Sequence, residues 1–123
     1  GPSVSERLRL AMQIALSESQ SAQACRKIGK LIGSGLPAAE AVPAALGIFL
    51  AVDGDPMQAI QWAVNLGDDT DTVGCMVGAI SGAYAGIGRI SEKLLRQIEQ
   101  INHLDLTAIA DAMTRILDSE KGD

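Results

Sequence analysis

Apolar residues recur at intervals of three and four along most of the chain, and this spacing predicts a series of helices, each with one buried face. After a capping-box pattern at Ser3 and Glu6, the first such series is Leu8, Ala11, Met12, Ala15 and Leu16. A break is expected around residues 17–21. The second series is Ala22, Cys25, Ile28 and Ile32. It ends at residues 33–35, where two glycines permit the left-handed conformation of a helix C-terminus.

Prolines and aspartates mark the starts of the next helices. Pro37 is expected to open a short turn, and Pro43 to occupy the first position of a helix. Residues 44–52 of that helix are apolar on nearly all sides, which indicates burial. Asp55 then has the position of an N-cap, ahead of a proline, for a helix that extends to about Asn65.

Three further helices complete an all-α prediction. The first covers about residues 73–85, the second follows a cap at Ser91 to about residue 102, and the third follows a cap at Asp105. The helix after Ser91 is expected to bury one apolar face, formed by Leu94, Leu95, Ile98 and Ile101. The helix after Asp105 is expected to bury another, formed by Leu106, Ile109, Ala110, Met113 and Ile116 or Leu117. No useful stretch alternates with a period of two, so no strand is predicted.

The length and composition are those of one helical unit. Residues 3–118 are expected to form a single domain, residues 119–123 a tail, and Gly1-Pro2 the remnant of a cleaved purification tag. Hydrophobic residues make up 47% and aromatic residues only 2% of the chain, so the core must consist mainly of aliphatic side chains, which favours packed helices over a β-sandwich.

The charge pattern and the cysteines exclude some functions. The net charge is −5 and no basic patch is present, which argues against binding to a nucleic-acid backbone. No apolar run approaches the ~20 residues that a membrane span needs. Cys25 and Cys75 have no CxxC pattern and no neighbouring histidine, and they are expected to be buried and reduced in a cytoplasmic protein.

The segment at residues 67–72 carries the strongest chemical signal. It holds the carboxylates of Asp68, Asp69 and Asp71 and two threonine hydroxyls, and such close like charges are stabilised when a cation lies among them. All of these ligands are hard oxygens, which favours Mg²⁺, Mn²⁺ or Ca²⁺ over Zn²⁺. Gly67 is placed to permit the tight turn that would make the oxygens converge.

A plain helix start is the alternative interpretation of this segment, because aspartate and threonine are preferred at N-caps and in first turns. The following residues bear on the choice, since Gly74, Gly78, Gly82 and Gly86 recur every four positions. Each interior glycine costs about 1 kcal/mol of helix propensity relative to alanine. The stripe therefore predicts close approach, either of another helix backbone or of a ligand.

These motifs resemble the ADP-ribosylglycohydrolase family, which includes the dinitrogenase-reductase-activating glycohydrolases. Residues 65–74, together with the Gly-Ala pairs at 78–79 and 82–83, are similar to the C-terminal signature of that family. The stretches 41–46 and 54–60 are also similar, so the match extends from about residue 31 to residue 90.

The resemblance implies the C-terminal part of an orthogonal all-α bundle that binds two Mg²⁺ ions, with Mn²⁺ as a possible substitute. By the same resemblance, Asp69, Asp71 and Thr72 are metal ligands, whereas Asp68 and Thr70 lie beside them without binding the ion directly. The implied reaction is hydrolysis of the glycosidic bond of ADP-ribosylated substrates, and the implied ligand is of the ADP-ribose type.

The chain departs from the family because a second acidic motif is absent. The family's remaining metal ligands and its catalytic acidic residue lie near the N-terminus of longer proteins, and the only Asp-Asp pair in this sequence is Asp68-Asp69. We therefore expect negligible activity from this chain alone. Helices that lack their usual neighbours are expected to associate as a homo-oligomer or with a complementing N-terminal chain.

Two other functions stay open at this level: a module that binds metal or ADP-ribose without cleavage, and a structural helical oligomer. Among the isolated candidates, His103 is interpreted as a solvated residue at a helix end. Trp62 is interpreted as a core residue, with stacking on an adenine as the alternative.

Overall fold

The computed structural model describes residues 3–122, and all regular secondary structure in this range is helical, which confirms the predicted all-α class. The helices are α1 (Val4–Ser17), α2 (Ser21–Leu31), α3 (Ala38–Ala51), α4 (Pro56–Asn65), α5 (Thr70–Ala85), α6 (Glu92–Asn102) and α7 (Leu106–Lys121), with a short 3₁₀ helix at Ile87–Arg89. The expected break at residues 17–21 separates α1 from α2. The proposed tag remnant at residues 1–2 lies outside the described residues.

Helix α3 is the centre of the first compact unit, which ends at Ile90. It packs against α1, α2, α4 and α5. Its apolar residues cover nearly the whole circumference, and Ala41, Ala44, Ala45 and Ile48 are fully buried or almost so. This confirms the prediction of a buried helix, because a helix without a polar face is stable in water only when other elements surround it.

The prediction that Pro43 begins this helix is wrong. The helix begins at Ala38 after Pro37 in the N-cap position, and Pro43 lies inside its second turn. The N–H groups of Glu40 and Ala41 already donate to the Pro37 carbonyl oxygen, so the helical bonds are established before Pro43 is reached. A proline this close to the start leaves only the Ala39 carbonyl without its usual helical donor.

Two helix limits also differ from the prediction. Helix α5 begins at Thr70 rather than near Val73, because Gly67 and Asp68 both have positive φ and the chain can become helical directly after them. Helix α7 continues to Lys121, so the expected tail at residues 119–123 is helical for most of its length. No helix-breaking residue occurs there before Gly122, which explains the longer helix.

The second compact unit begins at Ser91 and contains α6 and α7. Both predicted caps are present: Ser91 Oγ accepts from the N–H of Leu94, and an Asp105 carboxylate oxygen accepts from the N–H of Ala108. The expectation that these helices bury one face is wrong for the described residues, because neither contains a buried side chain. None of the described helices is long and apolar enough to cross a bilayer.

Candidate metal-binding site at the start of α5

The turn before α5 has an unusual backbone. Gly67 has φ +93° and Asp68 has φ +57°, so two successive residues occupy the left-handed region. Glycine adopts this conformation without strain, and aspartate tolerates it better than most residues. The tight turn predicted from Gly67 is therefore present, and it brings Asp69 to the N-cap position of α5.

A second loop, at residues 33–35, holds this turn in place. Ser34 Oγ donates a hydrogen bond to the Gly67 carbonyl oxygen at 2.9 Å, and the Asp69 N–H donates to the Ser34 carbonyl oxygen at 3.0 Å. Ser34 is only 1% exposed, which shields both bonds from competition with water. Sequence reasoning assigned Ser34 no role beyond the end of α2, because nothing local connects residues so far apart along the chain.

Asp69 leaves its side chain unused in capping. As the N-cap residue it makes no side-chain hydrogen bond to the first turn of α5, although Asp55, Ser91 and Asp105 all make such bonds at their helices. The plain interpretation of Asp69 as an ordinary cap is therefore weakened. Its carboxylate remains available for another partner.

Asp71 lies in the first turn of α5, exposed at the surface. The pKa of its carboxyl is lowered from its ordinary value, first by a hydrogen bond with the Asp69 side chain and then by the backbone N–H groups of Asp71 and Thr72. A cation between these two carboxylates would relieve the repulsion between their like charges. The predicted ligands therefore all lie at the start of α5: Asp69 at the N-cap, Asp71 in the first turn, and Thr72 half-buried next to it.

A surface cavity of about 400 Å³ adjoins these residues and is lined by Gly35, Leu36, Asp68 and Asp69. Its size falls within the usual range for small-molecule sites. The cavity lies between the two loops joined by Ser34, so the same hydrogen bonds that hold Asp69 also shape its wall.

The described residues do not by themselves form a cluster of side chains that surrounds a metal ion. No group of three or more His, Cys, Asp or Glu side chains converges on one point within residues 3–122. Two carboxylates and a threonine hydroxyl are nevertheless a suitable donor set for part of a magnesium site, since Mg²⁺ is usually bound by one or two carboxylates and several water molecules. Asp68 precedes this set along the chain, and Thr70 lies between Asp69 and Asp71.

The glycine stripe of α5 faces side chains and not another helix backbone. Cβ atoms added to Gly74 and Gly78 would meet Val64 at 3.5 Å and Ile60 at 3.4 Å, both on α4, and at Gly82 the nearest atom would be from Ile90 at 3.8 Å. These are ordinary van der Waals distances. Gly74 and Gly78 therefore face side chains of α4 and Gly82 faces Ile90, and the expected close backbone approach is not found there.

The candidate metal site does not include the two cysteines, His103 or Trp62. Cys25 is buried, and burial raises the pKa of its thiol to about 11, whereas Cys75 is free and exposed, contrary to the expectation that both are buried. His103 is the exposed residue that ends α6 in the left-handed conformation, as interpreted from the sequence. Trp62 packs at the edge of the core with the guanidinium carbon of Arg26 at 5.8 Å from its ring centroid.

Comparison with known proteins identifies relatives that are much longer. Residues 2–122 match the model of the ADP-ribosylglycohydrolase family. YegU of Escherichia coli (strain K12), a protein described as uncharacterized, is 31% identical over 113 residues, which cover 92% of this chain and 34% of YegU. The human ADP-ribosylhydrolase ARH3 is 29% identical over 122 residues, with 80% of this chain and 34% of that protein covered. No solved structure matches the chain. The chain thus spans about a third of the length of these curated relatives.

Proposed function

The chain belongs to the ADP-ribosylglycohydrolase family, and we therefore propose that it supplies part of the Mg²⁺ site of an enzyme that hydrolyses the glycosidic bond of ADP-ribosylated substrates. The proposed ligands are Asp69, Asp71 and Thr72. The observation that carries the proposal is the Asp69 carboxylate, which makes no capping bond to α5, lines a surface cavity and lies two residues before the Asp71 carboxylate in the first turn.

In this proposal the residues of the chain bind and orient. Bound Mg²⁺ would polarise oxygen ligands and stabilise charge that develops at the ribose during cleavage, and Mn²⁺ would serve in its place. Asp69 and Asp71 would hold one face of the ion, with Thr72 as a neutral oxygen donor. Asp68 and Thr70 would support these ligands without direct contact, and the cavity lined by Leu36 would receive part of an ADP-ribose-type ligand.

The proposed site is incomplete within this chain. Hydrolysis needs a carboxylate that handles the proton, and it needs further metal ligands besides the two carboxylates gathered at the start of α5. We propose that the carboxylate and the further ligands come from residues equivalent to the part of these relatives that the chain does not match, about two-thirds of their length. The chain alone would then be inactive.

Metal binding tests the ligand assignment. Mn²⁺ titrated into the ¹⁵N-labelled chain should broaden the amide signals of residues 68–72 first, because paramagnetic relaxation acts on nuclei close to the ion. Asp69→Asn and Asp71→Asn should each weaken the effect, while Asp111→Asn, an exposed aspartate on α7, should not. Uniform broadening, or equal loss in all three variants, would contradict the assignment.

Turnover and ligand binding test the remaining parts. With an ADP-ribosylated peptide and Mg²⁺ the chain should release no ADP-ribose above background; robust turnover would show that no further ligands are needed. Calorimetric titration with ADP-ribose and Mg²⁺ separates the alternatives. Binding without turnover agrees with an incomplete site, whereas no binding of either leaves a purely structural helical module.

We further propose that the chain associates with itself or with a complementing chain, in the cytoplasm. Support comes from α6 and α7, which bury no side chain. Four of their apolar residues are more than half exposed and are available for a partner: Ile101, Met113, Ile116 and Leu117. The two free cysteines agree with a reducing compartment. Light scattering that gave a monomer mass at high concentration would count against self-association.

A further inference from the structure

The loop that anchors the candidate metal site is itself held by an ion pair between α1 and α3. Oε2 of Glu40 accepts a hydrogen bond from the Gly35 N–H at 3.1 Å, and its Oε1 lies 3.5 Å from Arg7 Nη1. The same Arg7 nitrogen donates to the Ile32 carbonyl oxygen at 2.7 Å. Both ends of the segment 32–35 are therefore fastened to side chains from other helices.

Two glycines leave the space that the Glu40 carboxylate occupies. A Cβ atom at either Gly33 or Gly35 would lie 2.7 Å from Oε2 of Glu40. Gly33 also has φ +87°, which other residues rarely adopt. The loop thus wraps closely around one carboxylate oxygen, and a side chain at Gly35 would push that oxygen away from its N–H donor.

We propose that Glu40, oriented by Arg7, is a positioning residue for the metal site formed by Asp69 and Asp71. It acts through the loop and touches neither ligand: Glu40 holds Gly35, and the adjacent Ser34 holds both Gly67 and Asp69. Groups behind metal ligands commonly set the orientation of those ligands in this way. The Glu40 and Arg7 side chains are 29% and 25% exposed, so the contact is partly shielded from water.

The part of this proposal that concerns metal binding rests on the proposed function, whereas the ordering of the loop can be measured without metal. The readout is hydrogen exchange of the Asp69 amide, which donates to Ser34. In the full chain, Glu40→Ala should speed this exchange roughly tenfold, the loss expected for one hydrogen bond to a charged group. Glu40→Gln keeps an oxygen acceptor for the Gly35 N–H and should restore most of the protection.

Two further variants separate positioning from general destabilisation. Gly35→Ala should speed Asp69 exchange as Glu40→Ala does, because it displaces the carboxylate while leaving Glu40 in place. Glu18→Ala is the matched control, since it removes an ion pair with Lys27 that does not involve residues 32–36. It should leave Asp69 exchange unchanged.

The decisive comparison is with a buried amide such as that of Val77. The positioning role is overturned if Glu40→Ala speeds amide exchange at Asp69 and at Val77 by the same factor. It is also overturned if the Asp69 exchange rate in Glu40→Ala equals that in the Glu18→Ala control. Mn²⁺ affinity should weaken several-fold in Glu40→Ala and recover in Glu40→Gln. A wild-type chain that bound no Mn²⁺ would overturn the proposed function, while selective loss of Asp69 protection would still support the positioning of the loop by Glu40.

Discussion

Replacement of Gly54 by alanine is expected to destabilise the first compact unit by a predictable amount. Gly54 has φ +74° and lies under the ring of Tyr84, so that an added Cβ would be 2.4 Å and 2.6 Å from two ring carbons. The same ring meets Phe49 edge-on, with centroids 5.5 Å apart and planes at 90°. The methyl group and the ring cannot both keep their places.

The size of the effect depends on how the conflict is relieved. Tyr84 is 71% exposed, so its ring can swing toward solvent at the expense of the contact with Phe49. An edge-to-face aromatic pair contributes about 0.5 to 1.5 kcal/mol beyond its buried area. Alanine in the left-handed region adds about 1 to 2 kcal/mol of backbone strain. The free energy of unfolding should therefore fall by about 2 to 3 kcal/mol.

Urea denaturation followed by Trp62 fluorescence measures this change, because the only tryptophan lies in the same unit. Gly67→Ala is the matched control: Gly67 has φ +93° but no neighbour within 4 Å of an added Cβ, so only strain is introduced. The two variants should differ by about 1 kcal/mol, which moves the midpoint by about 0.3 to 1 M urea for a small domain.

A double variant isolates the steric part. When Tyr84→Ala removes the ring, the further change Gly54→Ala should destabilise less than it does beside Tyr84, because only the backbone strain and a contact of 3.1 Å with the Phe49 ring remain. The reasoning would fail if Gly54→Ala equalled Gly67→Ala in the presence of Tyr84, or if removal of the ring gave no relief.

Two further predictions concern titratable groups. In the folded state the pKa of Asp55 is lowered, most strongly by the hydrogen bond from the Gln58 N–H and less strongly by Arg89. The ionised Asp55 side chain therefore stabilises the fold fully above about pH 4, and this stabilisation is lost as the pH falls below that value. The free energy of unfolding should then decline more steeply with acid in the wild type than in Asp55→Asn. Iodoacetamide at about pH 8 should modify Cys75 in the native chain and Cys25 only after unfolding, as mass spectrometry can show; equal labelling would contradict the burial of Cys25.

Features that arise between near neighbours could be predicted from the amino-acid sequence alone. The caps at Asp55, Ser91 and Asp105 were predicted correctly because each bond joins a side chain to a backbone N–H three residues away. The tight turn at Gly67 could be predicted because glycine by itself adopts the left-handed conformation without strain. The resemblance to the family is also local in the sequence, because it is carried by residues 65–74 and the Gly-Ala pairs at 78–79 and 82–83.

Only the tertiary structure shows which residues distant in sequence contact the candidate site, and which apolar helix faces are buried. Nothing in the local sequence connects Ser34 with Gly67, or Glu40 with Gly35. Hydrophobic periodicity gives the face that a helix would bury, but not whether another element lies against it. Helix α3 is surrounded, whereas the apolar stripes of α6 and α7 bury no side chain, because burial depends on how helices pack together and not on the pattern of any one of them.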